Sequence, residues 1–259
     1  MRIDILTILP DVFNDTFSHS ILKRAIGKGI VKIQIHDIRK HSTQKQKSVD
    51  DYQYGGGAGM VMTIQPIDDL ISKIPSESIL KMPAEARVEG GDVMLSNACI
   101  FVGYSEKEDF EKYIVARTNR AGLDSLKNTF PNKRVKGFEL NKSDIDPREN
   151  ALHLDCCFQP IGKNSAILYK GGFKNESDFD FLVNYFGAEN IIEVSKEEMY
   201  NMNANVFSIS EKVIVSEKGF KRLNAELRKR GFIVEEVPYA EIAKMEGLLR
   251  CSTIPLIRD

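Results

Sequence analysis

Four residue classes are scarce in this chain of 259 residues, and each scarcity removes a class of protein. Cysteine occurs four times, at Cys99, Cys156, Cys157 and Cys251. Two of these are adjacent, so the sequence does not read as a disulfide framework of a small secreted domain. Histidine also occurs four times, at His19, His36, His41 and His153, and no Cys/His spacing suggests a metal. No apolar run reaches the roughly 18 residues of a membrane helix. An excess of basic charge is missing too: the formal net charge is -1, so a nucleic-acid site would have to be a local patch. What is present is 42% hydrophobic and 28% charged residues, the balance of a soluble globular protein able to bury a core. Met1 leads directly into a strand-like run, which argues against a secretory leader. The expectation is a cytoplasmic protein with reduced thiols, in which a thiol is either core filler or chemistry.

Along the chain, two halves read differently. Alternation in Arg2-Ile3-Asp4-Ile5-Leu6-Thr7-Ile8-Leu9 predicts a strand stopped by Pro10. Helical spacing of Phe13, Phe17, Ile21, Leu22, Ala25 and Ile26 follows, with Gly27 and Gly29 as stops. Val31, Ile33, Ile35 and Ile38 suggest a second strand, completing a βαβ segment. Then comes Ser48-Val49-Asp50-Asp51-Tyr52-Gln53-Tyr54-Gly55-Gly56-Gly57-Ala58-Gly59-Met60-Val61-Met62, whose glycines imply positive φ or close approach to a ligand. Residues 64–74 read as a short helix. From about residue 87 short strands and helices alternate in an α/β pattern. Strands are expected at 99–102, 134–138, 166–169, 191–194, 206–209, 213–215 and 233–237. Helices are expected at 120–130, 177–186 and 219–230. ββαβ units would recur about every fifty residues. The organisation is therefore residues 1–74, a junction at 75–85, and a region 86–259.

The second region holds one histidine, and a thiol near its end. A Cys/His pair is a nucleophile with its acid/base, although a lone histidine is more often structural. His153 lies in Leu152-His153-Leu154-Asp155-Cys156-Cys157-Phe158; if this is a strand, His153 and Asp155 share a face, Cys157 points the same way further along, and Cys156 points to the other side. Cys251 lies in Gly247-Leu248-Leu249-Arg250-Cys251-Ser252-Thr253-Ile254-Pro255, read as a loop entering a strand, with Arg250 as a cation favouring the thiolate. In Glu89-Gly90-Gly91-Asp92-Val93 two carboxylates flank a glycine pair that can aim both at one point. Cys99, in an apolar run, reads as core filler. Arg117 and Arg250 could equally be surface cations, and Asp92 could cap a turn.

Taken in order, Glu89-Gly90-Gly91-Asp92-Val93, Arg117-Thr118-Asn119, His153-Leu154-Asp155, Arg250-Cys251-Ser252 and Pro255-Leu256-Ile257-Arg258-Asp259 resemble the guanidine-modifying superfamily of arginine deiminases, dimethylarginine hydrolases and amidinotransferases. The resemblance covers about 86–259. It implies an α/β propeller of ββαβ modules, here incomplete, and a small guanidine substrate with no metal or cofactor. It implies Cys251 as nucleophile, His153 as acid/base and Glu89 as the residue that orients the guanidinium. Asp92, Asp155, Arg117 and Arg250 would bind substrate. Residues 1 to about 74 are instead similar to the start of bacterial tRNA (guanine-N1)-methyltransferases. That resemblance implies that Tyr54, Gly55, Gly56, Gly57 and Gly59 line a site where S-adenosylmethionine meets a tRNA guanine. The remainder of such an enzyme has no counterpart after residue 74. The chain reads as a chimera, with guanidine chemistry, methyl transfer and an inactive remnant as its three readings.

Overall fold

The computed structural model describes residues 2–13, 16–52, 60–72, 82–97, 99–244 and 247–253. The chain divides into two compact units, Met1–Lys81 and Met82–Asp259, a division that falls within the 75–85 stretch.

In the first unit, β1 (Arg2–Thr7) pairs in parallel with β2 (Lys32–Asp37) through α1 (Ser20–Gly27), in the register Arg2 to Lys32 through Thr7 to Asp37. This is the βαβ segment expected from its alternation. A short antiparallel pair follows, β3 (Asp50–Tyr52) with β4 (Met60–Met62). α2 (Ile64–Ile71) then packs on the turn Ile38–His41, to which Gln65 donates at 2.8 Å through the His41 carbonyl. Tyr54, Gly55, Gly56, Gly57 and Gly59 lie outside the described residues.

The second unit repeats one arrangement three times. β5 (Val93–Ser96) is antiparallel to β6 (Cys99–Tyr104), which is parallel to β7 (Arg134–Glu139) across α3 (Lys107–Lys112) and α4 (Arg120–Thr129). After α5 (Leu154–Cys157), β8 (Phe158–Ile161) is antiparallel to β9 (Ser165–Leu168), which is parallel to β10 (Ile191–Glu193) across α6 (Glu176–Phe186). Following α7 (Lys196–Tyr200), β11 (Phe207–Ser208) is antiparallel to β12 (Val213–Glu217), which is parallel to β13 (Ile233–Val237) across α8 (Lys221–Lys229). α9 (Ala240–Ala243) ends the described elements. Each module is thus a hairpin plus a helical crossover, which is how a sheet mixes both pairings. The result is a mixed α/β fold of several small sheets. The modules begin at Val93, Phe158 and Phe207, so the repeat is uneven. The surplus in the first interval is residues 140–157, the segment that carries His153.

Aromatic packing holds the first two modules. Phe101, Phe138 and Phe158 are fully buried in one cluster with Leu154, Leu168 and Leu182. Phe101 meets Phe158 edge-on at 5.4 Å and Tyr185 at 5.3 Å, the geometry that aligns ring edges with π-faces. A second cluster joins Ile161, Ile167 and Ile192 to Val206, Ile214, Leu223 and Leu227. Cys99 is buried in the first cluster, as expected of filler. No helix among the described residues is long and apolar enough to cross a membrane.

Candidate active site

The site is built around α5. Sequence alternation predicts a strand here, with His153 and Asp155 side by side. The structure replaces it with a four-residue helix whose N-cap is His153, and β8 begins only at Phe158. The cause is Asp92. Its Oδ1 accepts the Leu154 N–H at 2.9 Å and its Oδ2 accepts the Thr118 hydroxyl at 2.6 Å. A buried carboxylate at the first turn satisfies an amide that a strand would have placed in a ladder. Asp92 is 1% exposed, and burial pushes its pKa up. It therefore supports the site from beneath.

Glu89 leaves the same glycine turn on the other side. Its Oε2 meets His153 Nε2 at 2.6 Å, and its Oε1 lies 3.9 Å from Arg117 Nε. The two carboxylates flanking Gly90 and Gly91 thus converge on the start of α5, as their spacing suggested. Gly91 is required: a Cβ there would sit 2.8 Å from the His153 ring. Burial works against a charged His153, but the Glu89 hydrogen bond and the charges of Asp92, Asp155 and Glu89 outweigh it, and the imidazole pKa is raised. Glu89 is correspondingly lowered, chiefly by that hydrogen bond.

The Arg117-Thr118-Asn119 motif divides its work. Thr118 donates to Asp92 and accepts the Glu89 N–H at 3.1 Å. Asn119 caps α4 through the Gly122 N–H at 2.9 Å and accepts the Arg87 N–H at 3.0 Å. Arg117 alone of the three reaches Glu89 with its charge.

Asp155 carries the site toward Cys251, whose Sγ lies 3.8 Å from Asp155 Oδ2. Cys251 sits in a tight turn, where the Ser252 N–H bonds the Leu248 carbonyl at 3.1 Å. The loop-into-strand reading gives way to this turn through residue 253; residues 254–259, with the Pro255 motif, lie outside the described residues. Gly247, at φ +122°, brings its backbone against Cys251, and a Cβ there would be 3.1 Å from that of Cys251.

Three sequence expectations about the thiols change. Cys156 does not point away from the site: its Sγ is 3.8 Å from Asp155 Oδ1, because a helix rather than a strand carries it. It is fully desolvated, which pushes its pKa well up. Cys157 is buried beneath, with its thiol toward the Leu154 carbonyl. Only Cys251 is exposed, and all four cysteines are free. Arg250 does not set the Cys251 thiol; desolvation and then the Asp155 charge raise the pKa. Arg250 instead places Nη2 3.7 Å from Met94 Sδ and leaves Nε buried without a partner.

Two further residues join the site without any local signal in the sequence. Lys142 Nζ donates to the Ala151 and Leu152 carbonyls, each at 2.7 Å, and so fixes the approach to His153. Asn205 Nδ2 lies 3.5 Å from Cys251 Sγ. The asparagines around residue 203 signal a turn, but a turn residue and a site residue look alike in sequence. Among the described residues no cluster of three or more His, Cys, Asp or Glu is arranged to hold a metal.

A family profile described as N,N dimethylarginine dimethylhydrolase, eukaryotic, matches residues 81–258. Another, described as tRNA (Guanine-1)-methyltransferase TrmD, matches residues 1–95. The tRNA (guanine-N(1)-)-methyltransferase of Flavobacterium johnsoniae is 61% identical over 77 residues, 30% of this chain and 34% of that protein. YkgA of Bacillus subtilis, of uncharacterised function, is 31% identical over 174 residues, 67% of this chain and 54% of YkgA. The chain thus spans about a third of the methyltransferase relatives and about half of YkgA. Among solved structures, the product-bound N-terminal domain of ArgZ, an arginine dihydrolase of cyanobacteria, aligns with a TM-score of 0.63 at 18% identity, covering 99% of this chain and 97% of that one. A cysteine-to-serine mutant of the Pseudomonas aeruginosa dimethylarginine dimethylaminohydrolase (DDAH), complexed with citrulline, aligns at 0.58 and 17% identity, covering 95% of each. At these identities the structural likeness is one of fold. The long profile match does more: the chain belongs to the N,N dimethylarginine dimethylhydrolase family, carried behind a methyltransferase-like N-terminal segment.

Proposed function

We propose that the second unit cleaves a guanidine group of arginine or an arginine derivative through a covalent intermediate on Cys251, its three modules forming part of an α/β propeller. The observation that carries this reading is α5 itself. It presents the Glu89–His153 pair from its N-cap and the Asp155–Cys251 contact one turn position later. His153, Cys251 and two carboxylates thus meet at one short element, which supports reading them as acid/base, nucleophile and guanidinium ligands.

The electrostatics suit a cationic substrate. Without it, Cys251 faces the Asp155 carboxylate and holds its proton. A guanidinium bound by Glu89 and Asp155 through charge-assisted hydrogen bonds cancels that repulsion and lets the thiol release its proton to solvent on binding. The sulfur then bonds to the guanidinium carbon. His153, kept protonated by Glu89, gives its proton to the departing amine as the C–N bond breaks. The neutral imidazole next takes a proton from water, the oxygen bonds to the same carbon, and the C–S bond breaks to return the thiol. An acceptor amine in place of water would make the reaction an amidino transfer. Arg117 and Arg250 supply positive charge for a substrate carboxylate.

Methyl transfer from S-adenosylmethionine to tRNA is favoured by the N-terminal likeness alone, the profile match over residues 1–95 and the 61% identity over 77 residues. The loop from Tyr54 to Gly59 that this reading needs lies outside the described residues.

Incubation of the full chain with a haloacetamidine, followed by peptide mapping, tests the guanidine reading. Modification confined to Cys251 and blocked by arginine supports it. Equal labelling of several cysteines, or none, replaces it with an inactive chimeric remnant.

A further inference from the structure

Asn205 is fully buried and takes part in no step above. Its loop is anchored on α7. α7 opens with a capping box of Ser195 and Glu198, and Arg222 of α8 grips the same Glu198 at 2.6 and 2.5 Å. The Asn203 N–H bonds the Glu198 carbonyl, Met202 lies at φ +64°, and the Asn205 N–H bonds the Met202 carbonyl at 2.9 Å. From this anchorage one amide side chain makes two contacts: Oδ1 accepts the Arg250 N–H at 2.9 Å, and Nδ2 donates to Cys251 Sγ at 3.5 Å.

We propose that Asn205 is a positioning residue for Cys251, holding the turn that presents the thiol through the Arg250 N–H while donating an N–H to the sulfur. This rests on the Cys251 chemistry above and deepens it. A sulfur and a carboxylate 3.8 Å apart repel once both are ionised. An N–H donated to the sulfur offsets that repulsion and favours the thiolate. Only asparagine or glutamine offers two donors and an acceptor on one neutral group. Among the described residues the groups that face the sulfur are Asp155 of α5, with Cys156 beside it, the Leu248 backbone and Asn205, and none of these is a side-chain cation.

The test is the pH profile of Cys251 alkylation by iodoacetamide in the full chain, read by intact mass and peptide mapping. Asn205→Asp keeps an acceptor for the Arg250 N–H and removes the donors. Its expected effect is an upward shift of the alkylation midpoint by about one pH unit, or roughly tenfold slower labelling at neutral pH. Cys99, Cys156 and Cys157, all buried, should stay unlabelled and report an intact fold. Should Asn205→Asp expose them, Asn205→Ala, which adds no charge, must show the same upward shift. A wild-type midpoint in a folded variant overturns the proposal. Iodoacetamide requires no guanidine, so a chain that never turns over a guanidine still decides the role of Asn205.

Discussion

The two units differ in opposite directions by sequence and by structure. The first reaches 61% identity with its relatives, yet its buried apolar residues are few: Val31, Ile38, Val49 and Leu70 among those described. Leu9, Val12, Ile30 and Ile64 stand 58%, 63%, 62% and 81% exposed. The second unit reaches only 31% identity with YkgA, yet it encloses three apolar clusters. Identity reports shared descent, whereas stability follows the apolar area taken from water. Two-stranded sheets bury little, and a βαβ piece of a larger sheet leaves an open face. The two units should therefore answer differently to substitution.

The largest difference is functional. Cys251→Ala should abolish guanidine turnover, by on the order of 10⁴-fold or more, while leaving the melting temperature within a degree or so of wild type. Residual turnover near the wild-type rate would remove Cys251 from the mechanism. His153→Ala should be nearly as damaging, measured the same way.

Next in size is the core. Phe101→Ala should cost about 3–5 kcal/mol in urea unfolding, because it empties the centre of an aromatic cluster. Ile64→Ala, on the first unit's surface, should stay within about 0.5 kcal/mol. Comparable losses at both positions would erase the contrast between the units.

Gly91→Ala should displace His153, since the added methyl has no space beside the ring. The expected outcome is at least a tenfold fall in turnover, with iodoacetamide alkylation of Cys251 retained. Alkylation and turnover falling together would mean that the whole turn had moved.

The smallest effect is on titration. His153 is raised above its ordinary 6.5 and Glu89 lowered below its ordinary 4.5. The histidine's contribution to stability is thus full below 6.5 and fades as pH rises through the raised value. The glutamate's is full above 4.5 and fades as pH falls through the lowered one. Their joint contribution is greatest between about 4.5 and 6.5. Glu89→Gln should move the His153 NMR titration midpoint down; an unchanged midpoint would dissolve the pair.

Much of the site was legible in order along the chain. His153 and Cys251 stood out as scarce residue types in the second region, while the roles of Glu89, Asp155 and the pair itself came from the resemblance to guanidine-modifying enzymes. Strand periodicity and helical spacing gave β6, β7, β9 to β13, α4, α6 and α8, but the four-residue hairpin strands β5 and β8 were missed. Helices α3 and α7 escaped because they are short and carry no apolar stripe. The 153–157 segment was misread because four residues cannot distinguish a strand from a helical turn by alternation.

The sequence alone determined the two-part make-up of this chain, its module pattern and the reactive residue types, since composition and periodicity are local properties. Tertiary structure decided which groups meet. Asp92, distant in sequence, turned residues 154–157 into a helix by capping Leu154, and so swung Cys156 toward Asp155. Asn205 reached the thiol only because separately folded turns, forty-six residues apart, were brought together. A hydrogen bond needs a partner within about 3.5 Å, and that distance is set by packing rather than by position along the chain.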